Sequence, residues 1–143
     1  MTPIPDPTPG LVIRYAYLWD SERALGREEG AKYRPAVVVL AVAARSEGGG
    51  EVTVAPITHR PPADPAGAVA IPPDTAARLG LDTDLSWILV TEVNQFVWPG
   101  PDVRPASPER WAYGLLPPGM FRAVRDRLAA FARSGRVRPV RRT

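Results

Sequence analysis

The chain has 143 residues, a formal net charge of +3, one histidine and no cysteine. That length fits one domain with a real core, and a hydrophobic content of 45% is that of an ordinary globular protein. The missing thiols exclude disulfides and thiolate metal sites and suit the cytoplasm, a single histidine leaves no dedicated zinc site, and no apolar run approaches the roughly 20 residues of a membrane span. No metal, cofactor or membrane partner is therefore expected. The charge is unevenly spread. From Arg122 onward eight arginines face one acid, Asp126, a balance of +7, so the preceding chain sums to −4. Such a basic end can attract an acidic partner or a nucleic-acid backbone, or can be a solvated helix face followed by a free tail.

Residues 1–9 hold four prolines and are expected to be a disordered lead-in; they carry neither the basic nor the apolar region of a secretory leader. Leu11 to Trp19 reads as a first strand. Asp20 to Tyr33 is charged and contains Gly26 and Gly30, so it reads as a mobile loop of a length that is often functional, with a possible helical turn over Ser21–Leu25. Arg34–Leu40 and Val52–Thr58 are rich in β-branched residues and run to strand length, with Gly48-Gly49-Gly50 supplying the turn between them. Ala68–Ile71 is a short strand. Pro72 to Gly80 has proline at its start and glycine at its end, the signature of a short helix. Ser86–Asn94 reads as one further strand and residues 99–109 as a proline-punctuated loop. Pro117-Pro118-Gly119 opens a strong helix whose apolar residues Phe121, Val124, Leu128 and Phe131 share one face, and Ser134-Gly135 ends it. The expected fold is mostly β with a C-terminal α-helix: a small, strongly bent sheet or barrel with the helix packed on it. The domain is expected over 10–133, with a basic tail over 134–143.

The hairpin carries the functional argument. An antiparallel pair brings the start of its first strand and the end of its second to one sheet edge. Arg34 and Thr58 therefore become neighbours although 24 positions separate them. A guanidinium beside a hydroxyl can bind a phosphate. Arg34 can equally pair with Glu28 or Glu29, and Thr58 can be a solvent-facing strand residue.

In order and spacing these parts resemble the MazF/PemK family of toxin–antitoxin ribonucleases over about Pro9 to Arg133. The matching motifs are Arg34-Pro35 followed by Ala36–Leu40, Pro56-Ile57-Thr58, and Leu89-Val90-Thr91-Glu92 before the C-terminal helix. The resemblance implies an SH3-like barrel of the MazF/PemK/CcdB type, a homodimer, metal-independent cleavage of single-stranded RNA, and an acidic antitoxin that occupies the RNA groove. It assigns catalysis to Arg34 and Thr58. The acid five residues before the arginine is Glu29, and with His59 it is a candidate for proton transfer. RNA contacts are expected from Arg14, Lys32, Arg60, Glu92, Asn94, Gln95 and Trp98. Two segments depart from the family pattern. The usual Gly-Ser-Glu-Gln reads Gly26-Arg27-Glu28-Glu29, and the arginine expected after Glu92 is missing from Glu92-Val93-Asn94-Gln95-Phe96.

Alternative assignments stand beside these. His59 faces away from Thr58 if the strand continues, Glu92 can serve an arginine structurally, and Phe96 and Trp98 can be core or interface residues as well as base-stacking ones. A catalytically idle barrel that binds nucleic acid or a protein is the second functional class. A CcdB-like topoisomerase inhibitor is the third, but Val140-Arg141-Arg142-Thr143 lacks the terminal Trp-Gly-Ile such toxins use.

Overall fold

The computed structural model describes residues 4–26, 32–42, 50–81 and 85–142. The described elements run β1 (Leu11–Tyr15), α1 (Asp20–Ala24), β2 (Arg34–Val42), β3 (Glu51–Thr58), β4 (Ala68–Ile71), α2 (Pro73–Leu79), β5 (Ser86–Leu89), β6 (Glu92–Val97), β7 (Val103–Arg104), β8 (Ala112–Leu115), α3 (Pro118–Arg133) and β9 (Arg138–Arg141). The strands join in one bent, barrel-like sheet, antiparallel except where β9 runs parallel to β6. The fold is mostly β with a C-terminal helix, as the sequence pattern requires.

Strands β1, β2 and β3 are apolar on both faces because each face covers a core. Val12, Val37, Val39, Ala55 and Ile57 look toward the helices, meeting Leu79 of α2 and Val124 and Phe131 of α3. Ile13, Tyr15, Ala36, Val38, Val52 and Val54 look the other way, against Tyr17, Phe96, Trp98 and Val103. Alternation along a pleated strand sorts the two sets. The α3 stripe inferred from its spacing does pack against the first core, and burying each of its large apolar side chains contributes about 1.5–3 kcal/mol. Gly80 stops α2 at φ +74°, a left-handed conformation that glycine adopts without steric cost.

Five expectations are corrected. The segment over Ser86–Asn94 is not one strand. It breaks at Val90-Thr91 into β5 and β6, which pair in turn with the end and the start of β3. At the break the peptide groups turn outward: Val90 N–H donates to Gly67 O at 2.9 Å, and Thr91 O accepts from Arg138 N–H at 2.9 Å. Gly67 must be small there, since a Cβ would lie 2.6 Å from Thr91 Cγ2. The first strand stops at Tyr15, and residues 99–109 contain β7, which pairs with β1. Finally, the basic C-terminal segment is not a free tail: β9 lies along β6, Val140 is fully buried, and Arg142 is buried too. The proline-rich lead-in is also held where it is described, with Ile4 against the second core and the Pro5 carbonyl accepting from Trp98 Nε1 at 3.2 Å.

Candidate active site

The β2–β3 ladder pairs Ala36 with Pro56. The pairing ends there: Arg34 lies two residues before Ala36, and Thr58 lies two residues after Pro56, where β3 pairs with β5 instead. On its other side Arg34 pairs with Tyr15. Tyr15 and Ala36 both face the second core, so Arg34 and Thr58 share that face at the rim of the sheet. The antiparallel hairpin thus brings the start of β2 and the end of β3 to one edge of the sheet.

Arg34 is half-buried. Its guanidinium carbon sits 4.9 Å from the centre of the Trp19 ring, and its buried Nε has no hydrogen-bond partner among the described residues. Burial presses its pKa down, Glu22 raises it, and the like charge of Arg60 lowers it again. Two guanidinium groups and one carboxylate therefore lie within electrostatic reach of one another. Thr58 keeps 8% of its surface exposed, and its Oγ1 accepts from the Arg60 backbone N–H at 3.1 Å. That local turn closes the end of β3 and fixes where Arg60 begins.

The Trp19 platform is carried by α1, and α1 is capped from two sides. Glu22, at the third helical position, reaches back to the Trp19 N–H at 3.1 Å, one half of a capping box. Glu92 accepts from the Asp20 N–H at 3.1 Å and from the Tyr17 hydroxyl at 3.2 Å. Glu92 therefore holds the loop that supports Arg34. Burial raises its pKa, against the pull of the Asp20 and Tyr17 hydrogen bonds. The sign follows: a raised carboxyl pKa favours the folded state below the ordinary glutamate value near ~4.3, and that contribution is lost as pH rises through the elevated one. Glu92→Gln keeps an acceptor and removes the charge. Its melting temperature at neutral pH is expected to equal or exceed that of the parent, with the difference shrinking toward pH ~4 as Glu92 itself becomes neutral. Glu92→Ala orphans the Tyr17 hydroxyl and is expected to cost about 1–3 kcal/mol. Thermal unfolding across pH reads both; a Gln variant that melts well below the parent at neutral pH would contradict this.

Residues 16–97 match the family model described as PemK-like, MazF-like toxin of type II toxin–antitoxin system. The chain belongs to this family. No curated protein and no solved structure matches it. The part that matches the PemK-like, MazF-like toxins contains Trp19, Glu22, Arg34, Thr58, Arg60 and Glu92. Arg14, β7, β8, α3 and β9 lie outside it.

The remaining expected site residues fall in different places. His59 is exposed beside β5, with Nδ1 at 3.2 Å from Ser86 Oγ and 3.3 Å from Leu85 O. Glu29 lies outside the described residues, as do Glu28 and Gly48-Gly49. Lys32 is exposed near the start of β2, and Gln95 is half-buried in β6. Arg14 is exposed on the face of β1 opposite Tyr15, away from Arg34. Two expected RNA contacts are corrected. Asn94 is fully buried, with its amide engaged by the Leu18 backbone at 2.9 and 2.8 Å. Trp98 is buried in the second core. Glu22 and Trp19 were not anticipated at the site. The available signal was a glutamate three residues after Trp19, a helix start that brings both residues to the rim.

Proposed function

We propose that this toxin is an endoribonuclease that cleaves single-stranded RNA without a metal, by attack of a ribose 2′-hydroxyl on the adjacent phosphorus. The P–O5′ bond breaks and the departing O5′ takes up a proton, balancing the one lost from the 2′-hydroxyl, which leaves a 2′,3′-cyclic phosphate on one fragment and a 5′-hydroxyl on the other. Family membership and the shared rim of Arg34 and Thr58 support this, and the second is the observation that carries it. Negative charge develops on the phosphoryl oxygens during the reaction. The Arg34 guanidinium, stacked on Trp19, offers those oxygens a planar fork of donors. The Thr58 hydroxyl, already accepting from Arg60 N–H, has its own proton to donate to the same phosphate. Arg34 stays protonated and cannot be the base. Glu22, Glu29 and His59 are the groups that can take the 2′ proton, and Glu22 is the described carboxylate whose charge reaches Arg34.

As with other toxins of this kind, an acidic antitoxin would cover the basic rim, the working form would be a homodimer, and the site of action would be the cytoplasm. No described helix is long and apolar enough to cross a membrane. A non-cutting RNA binder is the second reading, favoured by the small exposed area of Thr58. Incubation of the purified protein with a mixed RNA in EDTA separates the two. Discrete fragments ending in cyclic phosphate are expected. Retention of intact RNA on the protein would establish the binder instead.

A further inference from the structure

Around the rim from Arg34, on the other face of β1, lies a second cationic feature. Arg14 and Arg104 are direct cross-strand partners in the β1–β7 pair. Like charges in that position destabilise a sheet. Among the described residues neither guanidinium forms an ion pair with a carboxylate. Instead both sit 5.3 Å from the centre of the Tyr33 ring. Arg14 also donates to Pro105 O at 3.4 Å, and Arg104 donates to the carbonyls of Pro101 and Val103. These contacts orient the two cations without neutralising them. Tyr33 remains 40% exposed. It immediately precedes Arg34, so the two Cα atoms are about 3.8 Å apart.

We propose that Arg14, Arg104 and Tyr33 form a second contact for single-stranded RNA, holding the strand immediately to one side of the phosphate that Arg34 addresses. This takes its ligand from the RNA-cleaving reading above. Two forked cations accept one phosphate or two successive ones, and binding relieves the repulsion between them. The exposed phenol and the flat guanidinium faces offer stacking to an unpaired base. An acidic peptide would satisfy the charges but leave the aromatic surface unused. Arg14 and Arg104 lie outside the family-matched residues and Tyr33 inside them, so the contact spans the edge of the match. It would bias which sequences the toxin prefers beside the cut.

The test uses a short fluorescent 2′-deoxy oligouridylate, which has no 2′ nucleophile and stays intact. Anisotropy titrations at several salt concentrations compare the parent with the Arg14→Gln, Arg104→Gln protein. The double variant is expected to bind at least about 10-fold more weakly, and its salt slope is expected to fall by about 1.4, two single-strand phosphate contacts. Tyr33→Ala is expected to weaken binding about 5-fold or more through lost stacking. On cleavable RNA the double variant shows its loss in KM rather than in kcat. Its melting temperature should equal or exceed the parent's, because a repulsive pair has been removed. The Arg14→Lys, Arg104→Lys protein keeps the charge and is expected to recover most of the salt slope but less of the affinity. Unchanged affinity and slope in the Gln variant overturn the contact while leaving the nuclease reading intact. A parent that fails to cut RNA, paired with a Gln variant that binds more weakly, sinks the nuclease reading and keeps the contact. Loss of affinity for an oligoglutamate peptide, with oligouridylate binding unchanged, assigns the pair to an acidic protein and overturns the proposal.

Discussion

Arg34→Ala is expected to cut RNA about 10²–10³-fold more slowly than the parent, the usual effect of removing one oriented donor from a developing oxyanion, about 2.7–4 kcal/mol of barrier. The fold should tolerate the change. Arg34 is half-buried at the sheet rim, has an unpartnered Nε, and contributes to packing through Trp19, a stacked contact worth about 0.5–2 kcal/mol. Single-turnover rates at saturating protein, taken beside thermal unfolding, separate chemistry from stability. Arg34→Lys keeps the charge but not the fork, so only part of the rate should return. Thr58→Val removes a donor of lower charge and is expected to have the smaller effect. The same assay addresses proton transfer: Glu22→Gln, or the His59→Ala, Glu29→Gln double variant, should lose about 10²-fold or more if that group is the base, and should flatten the pH–rate profile. An Arg34→Ala protein that cuts within a few-fold of the parent would remove the basis of the proposed mechanism.

The parts of the fold and site that the sequence discloses are those set by local chemistry. The β2–β3 hairpin follows from two β-branched runs and a glycine turn, and hairpin geometry then sets the start of β2 and the end of β3 at one sheet edge. Likewise α2 and α3 follow from proline starts, glycine stops and apolar spacing. What escapes is set by distant partners. The Val90-Thr91 break depends on Gly67 and Arg138, which supply hydrogen bonds that β3 does not. Asn94 has the composition of a ligand-binding residue, yet its amide is matched to the Leu18 backbone across 76 positions. Strand β9 is four residues with two arginines and a proline, a pattern that reads as solvated chain unless Val140 is known to have a pocket. Charge misleads most here. Arg138 pairs with Asp20, Arg141 with Glu51 and Arg142 with Asp102, so three of the eight C-terminal arginines have internal acids.

Arg142 makes the largest structural prediction. Its guanidinium is buried against the Tyr15 ring and donates to Ala16 O at 2.7 Å, to Tyr15 Oη at 3.3 Å, to Asn94 Oδ1 at 3.4 Å and to Asp102 Oδ2 at 3.0 Å. One side chain thereby joins β9 to β1, to β6 and to the segment before β7. Arg142→Ala takes its donor from the Asp102 carboxylate and the Ala16 carbonyl, while Asn94 Oδ1 keeps the Leu18 N–H. Breaking a buried pair from one side costs about 3–5 kcal/mol. Asp102 is partly solvated, at 18% exposed, so the lower end of that range is expected. At about 2–4 °C per kcal/mol for a chain of this size, the melting temperature should fall by about 6–12 °C. The Arg142→Met, Asp102→Asn double variant should lose less than the two single changes combined, since it removes the charge left stranded by either. Ending the chain at Arg136 strips β9 from β6, bares the edge beside Asn94 and removes the Arg138 contacts to Asp20 and Thr91. Thr91 adjoins Glu92, which caps α1 beneath Trp19, so the shortened protein should lose RNA cleavage along with stability. If it melted and cut as the full chain does, β9 would be the free basic tail that its composition suggests, and its docking on β6 would be wrong.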